Sequence, residues 1–408
     1  MFSHLLTTRR FAPIFWCQFL SALNDNFVKY SLVMLILFQM GGEHGGSLVT
    51  LAGAVLVAPF FLLSGLGGQL SDRFDKALMA RRLKLAEIPV ATIAATGFLL
   101  HSIPVLFVAL AGFGIIAALF GPIKYGILPV HLETKELPAG NALVEGATFL
   151  AILTGTLAGG LASKDASTAP WFAVAAVALA VLCWLSARMI PATGEAAPDL
   201  HVDRNPLAST WSLLGTLRRD RRLWIGGLVT SWFWVVGAVV LNLLPTFIET
   251  LIGGGQGVIT LALVVFTIGI AIGSGLAAAA SKLRPNLALV PIGALLMGLF
   301  CLDLAWGLST YTKEAGIDAM GFVTSLGGAR LLADLAGLAV AGGLYIVPSF
   351  AAVQSWAPVE ARARVIAACN VLQAAFMTVA TLGLAALQHY GVSIPALLAL
   401  LGAMSLVT

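Results

Sequence analysis

Charged side chains are scarce in this sequence. Asp, Glu, Lys and Arg make up 10% of its 408 residues, while 59% are hydrophobic and the mean hydropathy is +0.96. This composition excludes an ordinary soluble domain, carries no nucleic-acid signature and indicates a polytopic α-helical membrane protein. The first apolar run is too long for a cleavable signal peptide, and no small-residue cleavage site follows it.

Sequence patterns typical of enzymes and of metal sites are also scarce. The four cysteines lie far apart in apolar runs without metal-ligand spacing, so they are interpreted as small hydrophobic side chains. No histidine is followed five residues later by Asp, as an acyltransferase signature requires. No Gly directly precedes Lys, as a phosphate-binding loop requires. We therefore predict a membrane transporter that is not an enzyme and has no metal or cofactor.

The apolar runs predict an all-α polytopic membrane protein with 12 transmembrane helices, because one span takes roughly 20 residues. Gly/Pro pairs and charge clusters separate the runs. The predicted spans are about 11–40, 48–71, 79–101, 103–122, 137–163, 169–190, 222–250, 257–280, 287–309, 328–352, 363–388 and 392–408.

Basic residues predict the orientation of these spans. With a cytoplasmic N-terminus, all but four Lys and Arg residues belong to cytoplasmic segments, in agreement with the positive-inside rule. The exceptions are Lys29, Lys164, Lys313 and Arg330.

A long polar connection divides the predicted spans into two sets of six. We predict six-helix bundles at 1–190 and 222–408, joined by a cytoplasmic linker at 191–221. The halves show weak similarity at an offset of about 208–210 residues; Gly65-Leu66, for example, matches Gly275-Leu276. Two parallel six-span repeats resemble the architecture of the major facilitator superfamily.

The loop after the second span strengthens that resemblance. It contains Gly68 and then Asp72-Arg73, which resemble the signature loop of the superfamily. The resemblance implies that Asp72 latches the two halves in the outward-open state, and a small Gly68 allows helices to approach closely. Asp75 and Ala77 depart from the usual Gly and second basic residue. An ordinary solvated loop of mixed charge is the alternative.

Polar residues lie in the middle of the first span. Asn24, Asp25, Asn26 and Lys29 occupy its centre, where a charge costs about 2.5–3.5 kcal/mol to insert. At helical spacing Asp25 and Lys29 share one face with Gln18 and Ser21. That face cannot contact lipid, so it is predicted to line a bundle interior or a water-filled cavity.

Further candidate substrate-binding residues lie in three other spans. Lys124 and Tyr125 follow Gly121-Pro122 at the end of the fourth span, and Glu145 lies about two turns inside the fifth. Glu145 shares a face with Asn141 and Thr148. Glu145 and Lys124 are interpreted either as substrate contacts or as a structural pair that joins two helices. Asn370 and Gln373 line the corresponding face of the eleventh span, as ligand contacts or as helix-to-helix hydrogen bonds.

Two other charged groups are expected to be structural. Lys84 and Glu87, near the cytoplasmic end of the third span, are predicted to form a surface-level ion pair. Arg330 and Asp334 are predicted to pair near the outer end of the tenth span, with Asp303 as a further member of the group.

Longer motifs narrow the resemblance. QFLSALNDN, GPIKYGIL and NALVEGATFLAILTGTLAGG closely resemble bacterial lysophospholipid transporters of the major facilitator superfamily. SWFWVVGA and RARVIAACNVLQAAFMTVATL resemble the form that is fused to a phospholipid acyltransferase. The resemblance implies inward movement of lysophospholipid, chiefly lysophosphatidylethanolamine, across the bacterial inner membrane for re-acylation. It places the family's polar site residues on Asp25, Lys124 and Glu145.

One departure from the family concerns the phosphate group. Members without the fusion carry an Arg in span seven, where this chain has Leu241 or Asn242. The positive charge must then come from Lys29 or Lys124. A proton-coupled drug or metabolite transporter, with an intramembrane Asp or Glu as proton carrier, is the alternative function.

The end of the sequence suggests a fused partner. The last predicted span ends on Leu406-Val407-Thr408 without the basic residues that mark every earlier cytoplasmic junction. We expect this chain to be the transporter part of a longer polypeptide, with a fused or associated acyltransferase that uses acyl carrier protein.

Overall fold

The computed structural model describes residues 2–40, 43–161, 169–203, 205–281 and 285–407. Lys164, predicted on the outer side, lies outside these ranges. Within them the regular structure is helical, as the sequence predicts. The α-helices are α1 (Phe2–Thr7), α2 (Ala12–Met40), α3 (Glu43–Arg73), α4 (Lys76–Leu99), α5 (Ile103–His131), α6 (Leu137–Leu161), α7 (Ala169–Arg188), α8 (Pro206–Arg219), α9 (Arg221–Phe247), α10 (Gln256–Ala280), α11 (Leu289–Thr310), α12 (Ala319–Thr324), α13 (Leu326–Trp356), α14 (Arg362–His389) and α15 (Ile394–Ser405). A π-helical turn, Ile248–Ile252, follows α9, and a 3-10 turn, Val359–Ala361, precedes α14.

Each predicted span coincides with one long helix or, at the end, with α15. In the described part of the chain, 9 helical segments are long and apolar enough to cross a membrane. The other predicted spans correspond to α2 and α4, which carry the central charges, and to α15, which has 12 residues. The all-α polytopic class is confirmed.

The fourth span is longer than predicted. Instead of ending near residue 122, α5 continues through Pro122 and Pro129 to His131. Proline is tolerated inside membrane helices because neighbouring groups satisfy the freed backbone carbonyls. Lys124 and Tyr125 therefore lie within a helix, and their side chains have fixed directions.

The predicted linker contains a helix that the sequence analysis did not identify. The Asn205 side chain caps α8 by accepting hydrogen bonds from the N–H groups of Leu207 and Ala208, and Pro206 occupies the first turn. This Asn-Pro start is a known helix signal. The polar composition of the surrounding linker concealed it.

The chain forms two compact units. The first comprises Met1–Gly140, Ala147–Trp224 and Val353–Val371, and the second comprises Asn141–Gly146, Ile225–Ala352 and Leu372–Thr408. The predicted bundle boundaries at 190 and 222 stay a prediction.

The core of the first unit joins α2, α3, α4, α5 and α7. Phe27 of α2 stacks on Phe172 of α7, with ring centroids 5.2 Å apart, and Phe113 of α5 is fully buried in the same cluster. Small alanines of α4 and α7 complete the cluster and let these helices approach one another. This packing fixes the position of α2, which carries the central polar residues.

In the second unit, glycines allow close helix contacts. Gly273 of α10 lies against the backbone of Val340 in α13, and Gly343 of α13 lies against Ser274 of α10. The indole Nε1 of Trp232 donates a hydrogen bond to Ser405 Oγ at 3.1 Å, which attaches α15 to α9. Such small-residue contacts replace the hydrophobic effect as the source of helix association in membranes.

Gly155 of α6 positions the polar segment of α2. A Cβ at Gly155 would lie 2.6 Å from the carbonyl oxygen of Leu23, whereas a Cβ at Gly160 would make an ordinary contact of 3.6 Å with Met34. We expect Gly155→Ala to destabilise the protein by about 1–3 kcal/mol, because the backbone of α2 must move. Thermal unfolding in detergent measures this, with Gly160→Ala as the matched control. Equal melting temperatures for the two variants would contradict the prediction.

Candidate functional site

The polar face of α2 lies inside the first unit. Gln18, Ser21 and Asn24 are buried, and Asp25 is half-buried. Gln18 Nε2 donates a hydrogen bond to Thr148 Oγ1 at 2.9 Å, and Asn24 Nδ2 donates one to the carbonyl of Ala176 at 3.1 Å. Side chains from α2 thus contact both α6 and α7 through polar groups. This agrees with the expectation that the face avoids lipid.

Lys84 and Glu87 form a fully buried ion pair, so the predicted surface-level pair is wrong. Lys84 Nζ donates hydrogen bonds to Glu87 Oε2 at 2.7 Å and to Ser21 Oγ at 2.6 Å, and it lies 4.3 Å from the ring centroid of Phe120. Both side chains have 0% exposure. The helix begins at Lys76, which places Lys84 about 12 Å along α4 and under α2 and α5.

Asp25 lies within electrostatic range of the buried pair. It interacts electrostatically with Glu87, Lys84 and Lys124. The hydrogen bonds of the Lys84 ammonium group go to Glu87 and Ser21. Among the described residues, no ion pair joins Asp25 to Lys29. Lys29 Nζ lies 5.3 Å from the ring centroid of Tyr30 instead.

The other predicted site residues divide between the two units. In the first unit, half-buried Lys124 places its Nζ 4.6 Å from the ring centroid of Tyr125. The Tyr125 carbonyl accepts a hydrogen bond from Gln354, and Asn370 lies against Gly121. Asn141, Glu145 and Gln373 are buried residues of the second unit. The predicted pairing of Lys124 with Glu145 stays a prediction.

Asp72 connects α3 to the first turn of α14. Its carboxylate accepts hydrogen bonds from the backbone N–H groups of Ala363 at 2.9 Å and Arg364 at 3.0 Å, and from Arg364 Nε at 3.1 Å. The N-terminus of a helix favours a negative charge, so this contact is electrostatically strong. A Cβ at Gly68 would lie 2.7 Å from Ala367, which shows how closely α3 approaches α14 there. Arg73 lies over the ring of Phe74.

Asp75, which departs from the family pattern, has a local structural role. Its side chain caps α4 by accepting from Leu78 N–H at 2.7 Å, and it accepts from the N–H groups of Thr193 and Gly194 at 2.7 Å each. Burial raises the pKa of Asp75, but these hydrogen bonds outweigh it and hold the pKa below its ordinary value. The residue attaches the segment after α7 to the start of α4.

In the second unit, the charged group predicted near the outer end of the tenth span contains an exposed ion pair. Arg330 pairs with Asp303, and both side chains are close to half exposed, whereas Asp334 is buried. Asp303, which was predicted only as a further member of the group, is therefore the ion-pair partner of Arg330. An exposed pair of this kind contributes little to stability.

Comparisons with known proteins decide the family. Residues 14–332 match the model of the Major Facilitator Superfamily. The chain belongs to that superfamily. Its fold resembles the human organic anion transporter MFSD10, with a TM-score of 0.78 at 18% identity, covering 98% of this chain and 97% of that one. It also resembles the superfamily transporter FucP, with a TM-score of 0.71 at 13% identity, covering 97% and 96%. The predicted fold class is confirmed.

Two proteins of similar sequence are lysophospholipid transporters. The chain is 30% identical over 300 residues to the lysophospholipid transporter LplT of Serratia proteamaculans (strain 568), covering 71% of each chain. It is 29% identical over 304 residues to LplT of Yersinia pestis (strain Pestoides F), covering 71% of this chain and 70% of the relative. This similarity confirms the predicted membership of the LplT family of transporters.

Proposed function

We propose that this protein is a lysophospholipid transporter that moves substrates such as lysophosphatidylethanolamine inward across the bacterial inner membrane by alternating access. The observation that carries the proposal is the 30% identity to LplT over 71% of the chain. The partly buried carboxylate of Asp25 supports it, because a zwitterionic headgroup needs an anion in the membrane interior.

The residues of the proposed headgroup site have complementary charges. Within the first unit, an ethanolamine ammonium would bind Asp25, and a phosphate would bind Lys124 or Lys29. Lys84 is a poor candidate, because two of its three N–H donors already bind Glu87 and Ser21 and its side chain has no exposed surface. Asn24, Tyr125 and Asn370 of the same unit would supply uncharged hydrogen-bonding groups around that headgroup. Asn141, Glu145 and Gln373 of the second unit stay candidates from the sequence.

Uptake of isotope-labelled lysophosphatidylethanolamine into proteoliposomes tests this function. We expect uptake above that of protein-free vesicles, with diacyl phosphatidylethanolamine as the control lipid. The alternative, a proton-coupled drug or metabolite transporter, predicts no lysolipid uptake and a flux of another solute that follows an imposed pH gradient. Absence of lysolipid uptake at every imposed gradient would overturn the proposal.

The contact of Asp72 with α14 would serve as the conformational latch, together with Gly68 and Arg73. The buried carboxylate and its three hydrogen bonds support this role, because such a contact is lost only when α3 and the start of α14 separate. The latch would stabilise one state of the transport cycle by the free energy of this contact.

Asp72→Ala is expected to shift the population toward inward-open states. The rate at which a charged thiol reagent modifies Val365→Cys, a buried position on the first turns of α14, measures this shift. We expect modification from the cytoplasmic side to become severalfold faster. Asp75→Ala is the matched control, because its hydrogen bonds stay within α4 and the Thr193–Gly194 segment. Equal rates of thiol modification in Asp72→Ala and Asp75→Ala would show that the loop only connects α3 to α4 and is not a latch.

The proposed topology has a cytoplasmic N-terminus, which the distribution of Lys and Arg supports. Lysolipid would then reach the inner leaflet, where an acyltransferase that uses acyl carrier protein re-acylates it. This partner, fused or separate, rests on the resemblance in sequence.

A further inference from the structure

Helix α8 exposes an apolar stripe that no described residue covers. Leu207 is 58% exposed and Trp211 is 73% exposed, and half-buried Leu214 continues the stripe along the helix. The opposite face, with Ser209, Leu213 and Leu217, is buried. A large exposed Trp on one side of an amphipathic helix is typical of a helix that lies in a membrane interface.

The contacts of α8 place this stripe beside a membrane span. Thr210 Oγ1 donates to the carbonyl of Phe61 at 3.2 Å, and Gln69 Nε2 donates to Ser209 Oγ at 2.7 Å. Phe61 and Gln69 both belong to the apolar segment Leu51–Arg73, which is long enough to cross a membrane. Apolar side chains that project from a helix at this level meet lipid rather than bulk water.

The end of α8 carries positive charge. Arg218 and Arg219 form its last turn, and Arg221 and Arg222 follow at the start of α9. All four side chains are exposed. Asp220 between them forms an ion pair with Arg222 at 3.6 Å. Arg218 lies on the same side of α8 as Leu207 and Trp211, so that apolar and guanidinium groups can contact one lipid surface together.

We propose that α8 is an interfacial helix that binds anionic phospholipid of the cytoplasmic leaflet, with Leu207 and Trp211 inserted among the acyl chains and Arg218 and Arg219 on the headgroups. Basic residues next to an apolar anchor favour acidic lipid over zwitterionic lipid. The inference concerns the lipid that surrounds the protein and does not depend on which substrate is transported.

Fluorescence of a solvent-sensitive dye on single introduced cysteines tests the proposal in the full-length protein. The dye is attached to Trp211→Cys or, as a second stripe position, Leu207→Cys, in vesicles of phosphatidylcholine with added phosphatidylglycerol. The native cysteines are all buried and give little background labelling. We expect emission at shorter wavelength and quenching by lipids that carry a nitroxide near the headgroup. Ser212→Cys, exposed on the polar side of α8, is the control and should be quenched by aqueous iodide.

A second measurement tests the charge preference. Nitroxide-labelled phosphatidylglycerol is expected to quench the dye at position 211 at least about twofold more than labelled phosphatidylcholine does. Arg218→Gln with Arg219→Gln should bring the ratio close to one. Iodide quenching at 207 and 211 equal to that at 212 would overturn the interfacial position of α8. If the two labelled lipids quench the dye equally in the protein that keeps Arg218 and Arg219, the preference for anionic lipid is overturned.

Discussion

Replacing Lys84 by Met is expected to destabilise the folded protein by about 3–5 kcal/mol. The substitution leaves the Glu87 carboxylate with no exposed surface and without its ammonium partner. Glu87 Oε1 already lacks a hydrogen-bond partner among the described residues, so α4 offers no second donor to compensate. The position is also a packing position, because Lys84 lies over the ring of Phe120.

Removing both charges together should restore most of that loss. In Lys84→Met with Glu87→Leu no buried charge remains, and apolar side chains of similar volume replace a buried pair at little cost. Denaturant unfolding in detergent of the two single variants and the double variant measures the coupling between the residues. The expected pattern is two unstable single variants and a double variant near the parent.

Lys135 and Glu133 provide the matched control. Their ion pair has a similar length, 2.8 Å, but its side chains are 52% and 65% exposed. Lys135→Met should leave stability nearly unchanged, because solvent screens such a pair. A Lys84→Met protein as stable as Lys135→Met would show that burial of the Lys84–Glu87 pair does not stabilise the fold.

The sequence was sufficient to locate the long apolar helices, but it did not predict which charged side chains they bury. Twelve apolar runs located the spans, because the thickness of the bilayer fixes the length of each one. The same reasoning placed Lys84 at the surface, because it lies near the cytoplasmic end of the third predicted span. Whether α2 and α5 cover that part of α4 depends on tertiary packing, which no local pattern contains.

The candidate site was partly predictable for a related physical reason. Asp25 was identified because a charge within an apolar run has to face away from lipid. The contacts of Lys84 with Ser21 and Phe120 were not identified, since those residues come from helices distant in sequence. Helix α8 was missed because its single buried stripe is short and its surroundings are polar, although Asn205 and Pro206 marked its start.

Asp25→Asn is expected to reduce lysophospholipid uptake about 10- to 100-fold while the protein stays folded. A hydrogen bond to a charged group contributes roughly 1.5–3 kcal/mol, and loss of one such contact to the substrate ammonium accounts for a factor of this size. Folding should survive because Lys84 keeps its partner Glu87, and α2 keeps the hydrogen bonds of Gln18 and Asn24. Neutralising a charge within the membrane can even favour the folded state.

The measurement is initial uptake by proteoliposomes, combined with thermal unfolding of the same preparation. Asn26→Ala serves as the control on the same helix turn, because the Asn26 side chain donates a hydrogen bond to the carbonyl of Ala22 in its own helix. That variant should transport at close to the parental rate. Asp25→Glu, which keeps the charge, should retain more activity than Asp25→Asn.

Transport by Asp25→Asn at the parental rate would show that Asp25 is not part of the substrate site. Unfolding of Asp25→Asn would assign the carboxylate to the buried cluster of Lys84 and Glu87 instead, because only then does stability depend on its charge.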